Sequence, residues 1–114
     1  MNRKQFLATL ALGLFVALPA AGAGEGKVTI TSPKPGATLD AMEENQVVYE
    51  VDPGPRGDHV HVYVDNQEVG ILRKLKGSYT LETLSPGKRN LCVKVVNKAH
   101  VPVGIEQCVE ITVK

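Results

Sequence analysis

Short runs of alternating apolar residues, separated by turn signals, constrain the fold of this 114-residue chain more than any other feature. In each run every second residue is apolar, which places those side chains on one face of a β-strand. The clearest runs are 27–33, 45–51, 59–65 and 78–84, and their alternating apolar residues are Val28, Ile30, Val47, Tyr49, Val51, Val60, Val62, Val64, Tyr79 and Leu81. The segments between them are rich in Pro, Gly, Asn and Asp, which favour turns. The pattern therefore predicts an all-β fold, a sandwich of two packed sheets.

The first 23 residues have the pattern of a secretory signal peptide. Arg3 and Lys4 form a basic start, residues 6–18 are an apolar run shorter than the roughly 20 residues that span a bilayer, and Ala21-Gly22-Ala23 is a small-x-small cleavage signal. We expect cleavage after Ala23, so that residues 1–23 are the leader and residues 24–114 are one folded domain. The alternative is an uncleaved helical anchor, which the helix-breaking sequence LPAAGAGEG disfavours. The expected location is the periplasm or the cell exterior, with no stable membrane anchor after cleavage.

The charge of the mature chain excludes some classes of partner. Removing Arg3 and Lys4 from the 13 Lys and Arg leaves 11 against 12 Asp and Glu, a net charge of −1. A near-neutral chain with interspersed charges has no basic surface for nucleic acid or anionic lipid. We therefore expect a protein or another envelope component as the partner, and no nucleic acid. The oligomeric state does not follow from the sequence.

Cys92 and Cys108 are the two cysteines of the chain, and an oxidising compartment favours their joining. Each alternates with apolar neighbours in its own run, so both are predicted on the outer face of their strands. A hairpin centred on position 100 places them directly opposite each other, within disulfide reach. A redox-active or metal-binding dithiol is the alternative, although the spacing is not Cys-x-x-Cys.

Three segments resemble bacterial immunoglobulin-like and fibronectin type III-like domains. They are ITSPKPGATL near the start, HVYVDNQEVG in the middle, and YTLETLSPGKRNLCVKVVN after it. The resemblance covers essentially the whole mature chain and implies an immunoglobulin-like or fibronectin type III-like sandwich of about seven antiparallel strands. The chain departs from the pattern in having no Trp, and in having Leu91 where fibronectin-type domains often carry a Tyr. These motifs specify the fold and leave the function open.

The three histidines of the chain form the candidate chemical site. If Val60, Val62 and Val64 face the core, then His59, His61 and Tyr63 lie on the outer face of the same strand. The resemblance to immunoglobulin-like domains implies that this strand pairs antiparallel with the strand that carries Cys92. Its start then lies close to the loop NKAHVPVG, which carries His100. The preceding loop, DPGPRGD, adds the carboxylate of Asp58 and a second one from Asp52.

Imidazoles with a carboxylate are ligands for copper or zinc, so His59, His61, His100 and Asp58 are the predicted metal ligands. The alternative is structural, because exposed strand histidines and loop histidines are commonly solvated and His-x-His is a weak pattern.

The loops at this end of the sandwich are also candidate recognition elements, because rigid sheets position them. The candidate binding residues are Pro53, Arg56, Asp58, His100, Pro102 and Tyr63. No nucleophile motif, phosphate-binding loop or metalloprotease helix is present in the sequence, so we do not expect an enzyme. The sequence favours a secreted or periplasmic binding or interaction module without catalytic activity, and the alternative is a periplasmic copper- or zinc-binding protein.

Overall fold

The computed structural model describes residues 25–114, so the predicted leader of residues 1–23 lies outside the described part of the chain. The described residues form eight β-strands. In chain order they are β1 Lys27–Ser32, β2 Thr38–Leu39, β3 Asn45–Asp52, β4 His59–Val64, β5 Gln67–Leu72, β6 Lys76–Leu81, β7 Gly87–Val96 and β8 Pro102–Val113. Residues 25–114 contain no helix that is long and apolar enough to cross a membrane.

The strands form two sheets, which confirms the predicted all-β architecture. One sheet has three strands in the order β1-β3-β6, and the other has five in the order β2-β8-β7-β4-β5. All neighbouring strands are antiparallel except β2, which pairs with β8 in parallel. Eight strands agree with the prediction of about seven, and the two that the alternating runs did not identify are β2, which is only two residues long, and β5.

Strand β5 follows β4 after a tight turn at Asp65 and Asn66. Both residues have positive φ, 50° and 70°, as a two-residue type I′ hairpin turn requires. Asn and Asp adopt this conformation more readily than most residues. The turn therefore returns the chain directly alongside β4, where Val64 pairs with Gln67.

The core lies between the two sheets and consists of the alternating residues that the sequence pattern indicated. Val47, Val60 and Val62 are completely buried, and Tyr49 donates a hydrogen bond from its hydroxyl to the carbonyl of Lys74. The other buried members of the core are Val28, Ile30, Val51, Leu81, Leu91, Val93, Val95, Val109, Ile111 and Val113. Removing these side chains from water stabilises the fold by roughly 25 cal/mol for each Å² of apolar surface buried. One face of each strand thus supplies the core, and the opposite face is left for other roles.

The predicted disulfide is confirmed. Cys92 of β7 pairs directly with Cys108 of β8, and the two sulfur atoms are bonded. The bond lies on the outer face of the five-stranded sheet, as predicted, although Cys92 itself is buried. The bond therefore fixes the register of the β7–β8 hairpin, whose tip carries His100.

Removing the disulfide should destabilise the domain by about 3 kcal/mol, because the bond closes a loop between cysteines 16 residues apart and so reduces the entropy of the unfolded chain. The measurement is urea unfolding of a Cys92→Ala/Cys108→Ala double variant beside the oxidised protein. Equal unfolding midpoints and slopes for the two proteins would contradict this prediction.

Candidate metal centre

The candidate centre lies at one corner of the five-stranded sheet, where β4 begins and the β7–β8 hairpin turns. His59 is the first residue of β4 and pairs with Val96, the last residue of β7. The backbone N–H of Asp58 donates to the carbonyl of Val96 over 2.8 Å. The loop DPGPRGD and the hairpin tip therefore meet, as the sequence predicted.

The hairpin tip holds His100 in a fixed position. The side-chain oxygen of Asn97 accepts hydrogen bonds from the backbone N–H groups of Ala99 and Val101, over 2.9 and 3.1 Å. The N–H of His100 donates to the carbonyl of Asn97, and His100 has a φ of 67°. This left-handed conformation reverses the chain and turns the imidazole back towards β4.

One nitrogen atom of each histidine points to a common centre. Nε2 of His59 lies 3.2 Å from Nε2 of His61 and 3.3 Å from Nδ1 of His100. Nε2 of His61 lies 3.0 Å from Nδ1 of His100. Two histidines of β4 and a third that lies 39 positions after His61 thus form a compact triangle of nitrogen atoms, which we call the three-histidine cluster.

The structure does not agree with the alternative in which His59 and His61 are solvated on an exposed strand face. Both side chains are on the outer face of β4, but each is only 1% exposed. The ring of His100 covers them, with its centre 4.7 Å from that of His59 and 5.1 Å from that of His61. His100 itself is exposed, so the cluster lies at the surface with its two strand histidines beneath the third.

Two carboxylates contact the Nδ1 atoms of His59 and His61, which are the outer nitrogens of these rings because they point away from the centre. Oδ2 of Asp58 lies 2.9 Å from Nδ1 of His59, and Oε1 of Glu68 lies 3.1 Å from Nδ1 of His61. The contact between Asp58 and His59 has hydrogen-bond geometry. The contact between Glu68 and His61 has the distance of an ion pair but not the angle of a hydrogen bond. Nδ1 of His61 is therefore a buried nitrogen with no hydrogen bond among the described residues. Each carboxylate favours a tautomer with the proton on Nδ1 and the lone pair of Nε2 directed at the centre.

Asp58 therefore differs from its predicted role. The sequence suggested it as a metal ligand, but its carboxylate contacts the nitrogen of His59 on the far side of the ring from the cluster. The set of groups that could hold one ion among residues 25–114 is His59, His61 and His100. Asp58 belongs to the layer behind the ligands, where it can orient His59.

Burial lowers the pKa of His61 from its ordinary value. The carboxylate of Glu68 acts in the opposite direction, and the neighbouring imidazoles of His59 and His100 lower the pKa further. The neutral imidazole, which is the form that binds metal ions, is therefore favoured at His61.

The other candidate residues lie around the cluster or away from it. Tyr63 is half-buried on the outer face, and its ring centre lies 6.3 Å from that of His61. The ammonium group of Lys94 lies 4.6 Å from the ring centre of Tyr63. Burial and the charges of Glu68 and Glu106 raise the pKa of Tyr63.

In the loops, Arg56 donates to the carbonyl of Val103 over 3.1 Å, and the side chain of Asp52 accepts from the N–H of Gly54. Pro53 is half-buried and Pro102 is exposed. None of these four residues joins the cluster.

Glu68 was missed because β5 was not predicted. Once Asp65 and Asn66 are taken as the two turn residues, Val64 must face Gln67 and Tyr63 must face Glu68, as the structure shows. Glu68 therefore lies beside Tyr63 on the outer face, where its carboxylate reaches Nδ1 of His61. The turn signal at Asp65 and Asn66 could have found this residue.

The three-histidine cluster has the dimensions that a transition-metal ion requires. A circle through the three nitrogen atoms has a radius of about 1.8 Å, slightly less than a zinc–imidazole bond of about 2.0 to 2.1 Å. One ion could therefore be held by all three nitrogen atoms at once.

The fold and the cluster together define a class of protein, a fibronectin III-like or immunoglobulin-like sandwich with three converging histidines at one corner. A solved structure of the fibronectin(III)-like modules of Clostridium thermocellum CbhA is similar to it, with a TM-score of 0.62 and 20% identity over 76% of this chain and 95% of that one. An engineered protein is also similar, with a TM-score of 0.55 and 20% identity over 87% of this chain and 21% of that one. No protein-family model matches the chain, and no curated protein matches it significantly. These likenesses show the fold.

Proposed function

We propose that this domain binds a single copper or zinc ion through His59, His61 and His100. The observation that carries the proposal is the convergence of three imidazole nitrogens, each 3.0 to 3.3 Å from the other two. Imidazole nitrogen is a preferred ligand of both metals. The carboxylates behind His59 and His61 are the outer partners that metal-binding histidines usually have.

Proton accounting supports a cation at the centre. With protons on the outer nitrogens of His59 and His61, the two inner nitrogens are both hydrogen-bond acceptors and face each other across 3.2 Å. A neutral His100 can direct a single N–H inwards, and this group can donate a good hydrogen bond to Nε2 of only one of the two strand histidines. The lone pair on Nε2 of the other then has no donor. A further proton would have to charge a buried group, which desolvation opposes. A metal ion satisfies all three nitrogens at once.

The ligand chemistry favours copper(II) over zinc in affinity. A nitrogen site binds divalent copper more tightly than divalent zinc in the general order of these metals. Magnesium and calcium prefer oxygen ligands, which the cluster does not supply among the described residues. We therefore expect the order copper, zinc, and then no measurable binding of magnesium or calcium.

Isothermal titration of the chelator-treated protein with each of the four ions tests this proposal. The expected result is saturable binding of one copper or zinc ion per chain, with proton release and with NMR shifts or broadening at all three histidines. No stoichiometric binding, or a response of His59 and His61 without His100, would overturn the proposal.

Glu68 provides a sharper test of how the cluster is built. Replacing it by glutamine should lower metal affinity by about 10- to 100-fold, because His61 loses the carboxylate that orients its ring. Glu106→Gln is the matched control, since Glu106 pairs across the strands with Lys94 on the same face of the sheet and lies outside the cluster. Competition with a metal-binding dye measures both variants, and equal affinities would contradict a role for Glu68.

The wider role that we propose is that of an exported, non-catalytic binding module. The disulfide between Cys92 and Cys108 supports an oxidising environment, either the periplasm or the cell exterior. The likeness to fibronectin(III)-like modules supports a modular role. A protein or another envelope component remains the predicted partner, and the loops that meet beside the cluster are the predicted contact.

A further inference from the structure

We propose that the bound metal ion keeps an open coordination position that accepts a small monodentate anion in exchange for water. This inference rests on the proposed metal site and adds a second binding function to it. It depends on three features of the corner: the number of protein ligands, their arrangement on one side of the ion, and the charges around the adjoining groove.

The protein supplies three ligands to this position. Asp58 and Glu68 are engaged with the outer nitrogens of His59 and His61, which point away from the centre. No other histidine, cysteine, aspartate or glutamate among residues 25–114 belongs to the group that could hold the ion. Copper(II) and zinc take four or more ligands, so at least one more ligand is needed besides these three histidines.

The arrangement of the nitrogens leaves a coordination position for that ligand. The three nitrogen atoms form a triangle with sides of 3.0 to 3.3 Å, which corresponds to one face of a tetrahedral site. The histidine, cysteine, aspartate and glutamate side chains of residues 25–114 supply no ligand for the fourth corner of that site. Zinc sites that have three protein ligands and an open position hold water or a substrate there, whereas sites with a purely structural role are closed by four.

Charge favours an anion as the exchanging ligand. The three imidazoles are neutral when they bind a metal, so the ion retains its two positive charges. A groove between the two loops adjoins the cluster, and its lining includes the exposed side chains of Arg56 and Lys98 together with Asp58. The groove is therefore lined by two cationic side chains and one carboxylate, and this excess of positive charge favours the approach of an anion.

Azide is the probe for this position, because its binding to copper(II) or cobalt(II) changes the visible and electron paramagnetic resonance spectra. The protein is first loaded with one equivalent of copper(II) and then titrated with azide, and cobalt(II) is used in a parallel series. We expect a saturable change that corresponds to one azide per ion.

An Arg56→Gln/Lys98→Gln double variant should bind azide about 2- to 10-fold more weakly and should still bind one metal ion per chain, because it removes positive charge without removing a metal ligand. Lys88→Gln is the control, because Lys88 is an exposed cation of β7 that lies far from the cluster. It pairs with Thr112 near the start of β7, whereas His59 pairs with Val96 at the end of β7.

The outcomes separate the two proposals. If the metal binds with one ion per chain but azide leaves both spectra unchanged, the open position is wrong and the metal site stands. If azide binds equally well to the double variant and the native protein, the attraction by Arg56 and Lys98 is wrong. If no metal binds at all, the proposed function fails, and this inference fails with it.

Discussion

Replacing His100 by asparagine should abolish tight copper or zinc binding and leave the fold intact. His100 supplies one of the three nitrogen ligands. Loss of a group that only hydrogen-bonds to a ligand typically lowers metal affinity by about 10- to 100-fold, so loss of a ligand itself should lower it by more. The side chain is exposed at a hairpin tip, so its removal creates no cavity in the core. Asparagine is chosen because it accepts the positive φ of 67° at this position more readily than alanine does.

The control for this variant is Lys98→Ala, which changes an exposed residue in the same hairpin tip. Metal affinity is measured by competition titration, and folding by the thermal transition of the metal-free protein. We expect the Lys98→Ala variant to bind metal like the native protein, and both variants to unfold at nearly the native temperature. Native affinity in the His100→Asn variant would exclude His100 as a ligand.

Replacing Val47 by aspartate should prevent folding, whereas the same change at Val48 should not. These two valines are neighbours in β3, but Val47 is 0% exposed and Val48 is 38% exposed. An unpaired carboxylate at position 47 would cost on the order of 5 kcal/mol, comparable to the whole stability of a small domain of about 5 to 15 kcal/mol. At position 48 the carboxylate stays in water.

Circular dichroism and urea unfolding of the two variants measure this difference. The substitution, the strand and the added charge are identical, so the comparison isolates burial. A folded Val47→Asp variant would contradict the assignment of this residue to the core. Equal destabilisation by both substitutions would show that β3 is covered on both of its faces.

The strands of this protein follow from local alternation, because one face of most strands is buried and the other is solvated. Pairing arithmetic then extends the prediction, because a hairpin centred on position 100 aligns Cys92 with Cys108, as observed. The approach of His59 to the loop that carries His100 needed a further assumption, the pairing of β4 with β7 that the resemblance to immunoglobulin-like domains implies. The structure has that pairing, with His59 opposite Val96.

Burial on the outer face could not be predicted in the same way. Strand alternation alone predicts that Val62→Asp destabilises the domain and that His61→Asp does not, because it assigns only Val62 to the buried face. In the structure both side chains are buried, with His61 1% exposed and Val62 0% exposed. His61 is covered because His100 lies over it and Glu68 flanks it, and the position of His100 depends on its left-handed backbone conformation. An aspartate at position 61 would be forced against the carboxylate of Glu68, so we expect His61→Asp to destabilise the domain as well.

The β7–β8 hairpin is the element on which the two cross-links of this domain converge. The disulfide joins the two strands of this hairpin partway along their length. An ion bound at the hairpin tip would join the hairpin to β4, because it would link His61 to His100, which lies 39 positions further along the chain. A ligand that binds only the native state stabilises it by an amount that grows with its free concentration, about 2.7 kcal/mol at 100 times the dissociation constant. The lifetime of this domain outside the cytoplasm would then report how much metal its surroundings contain.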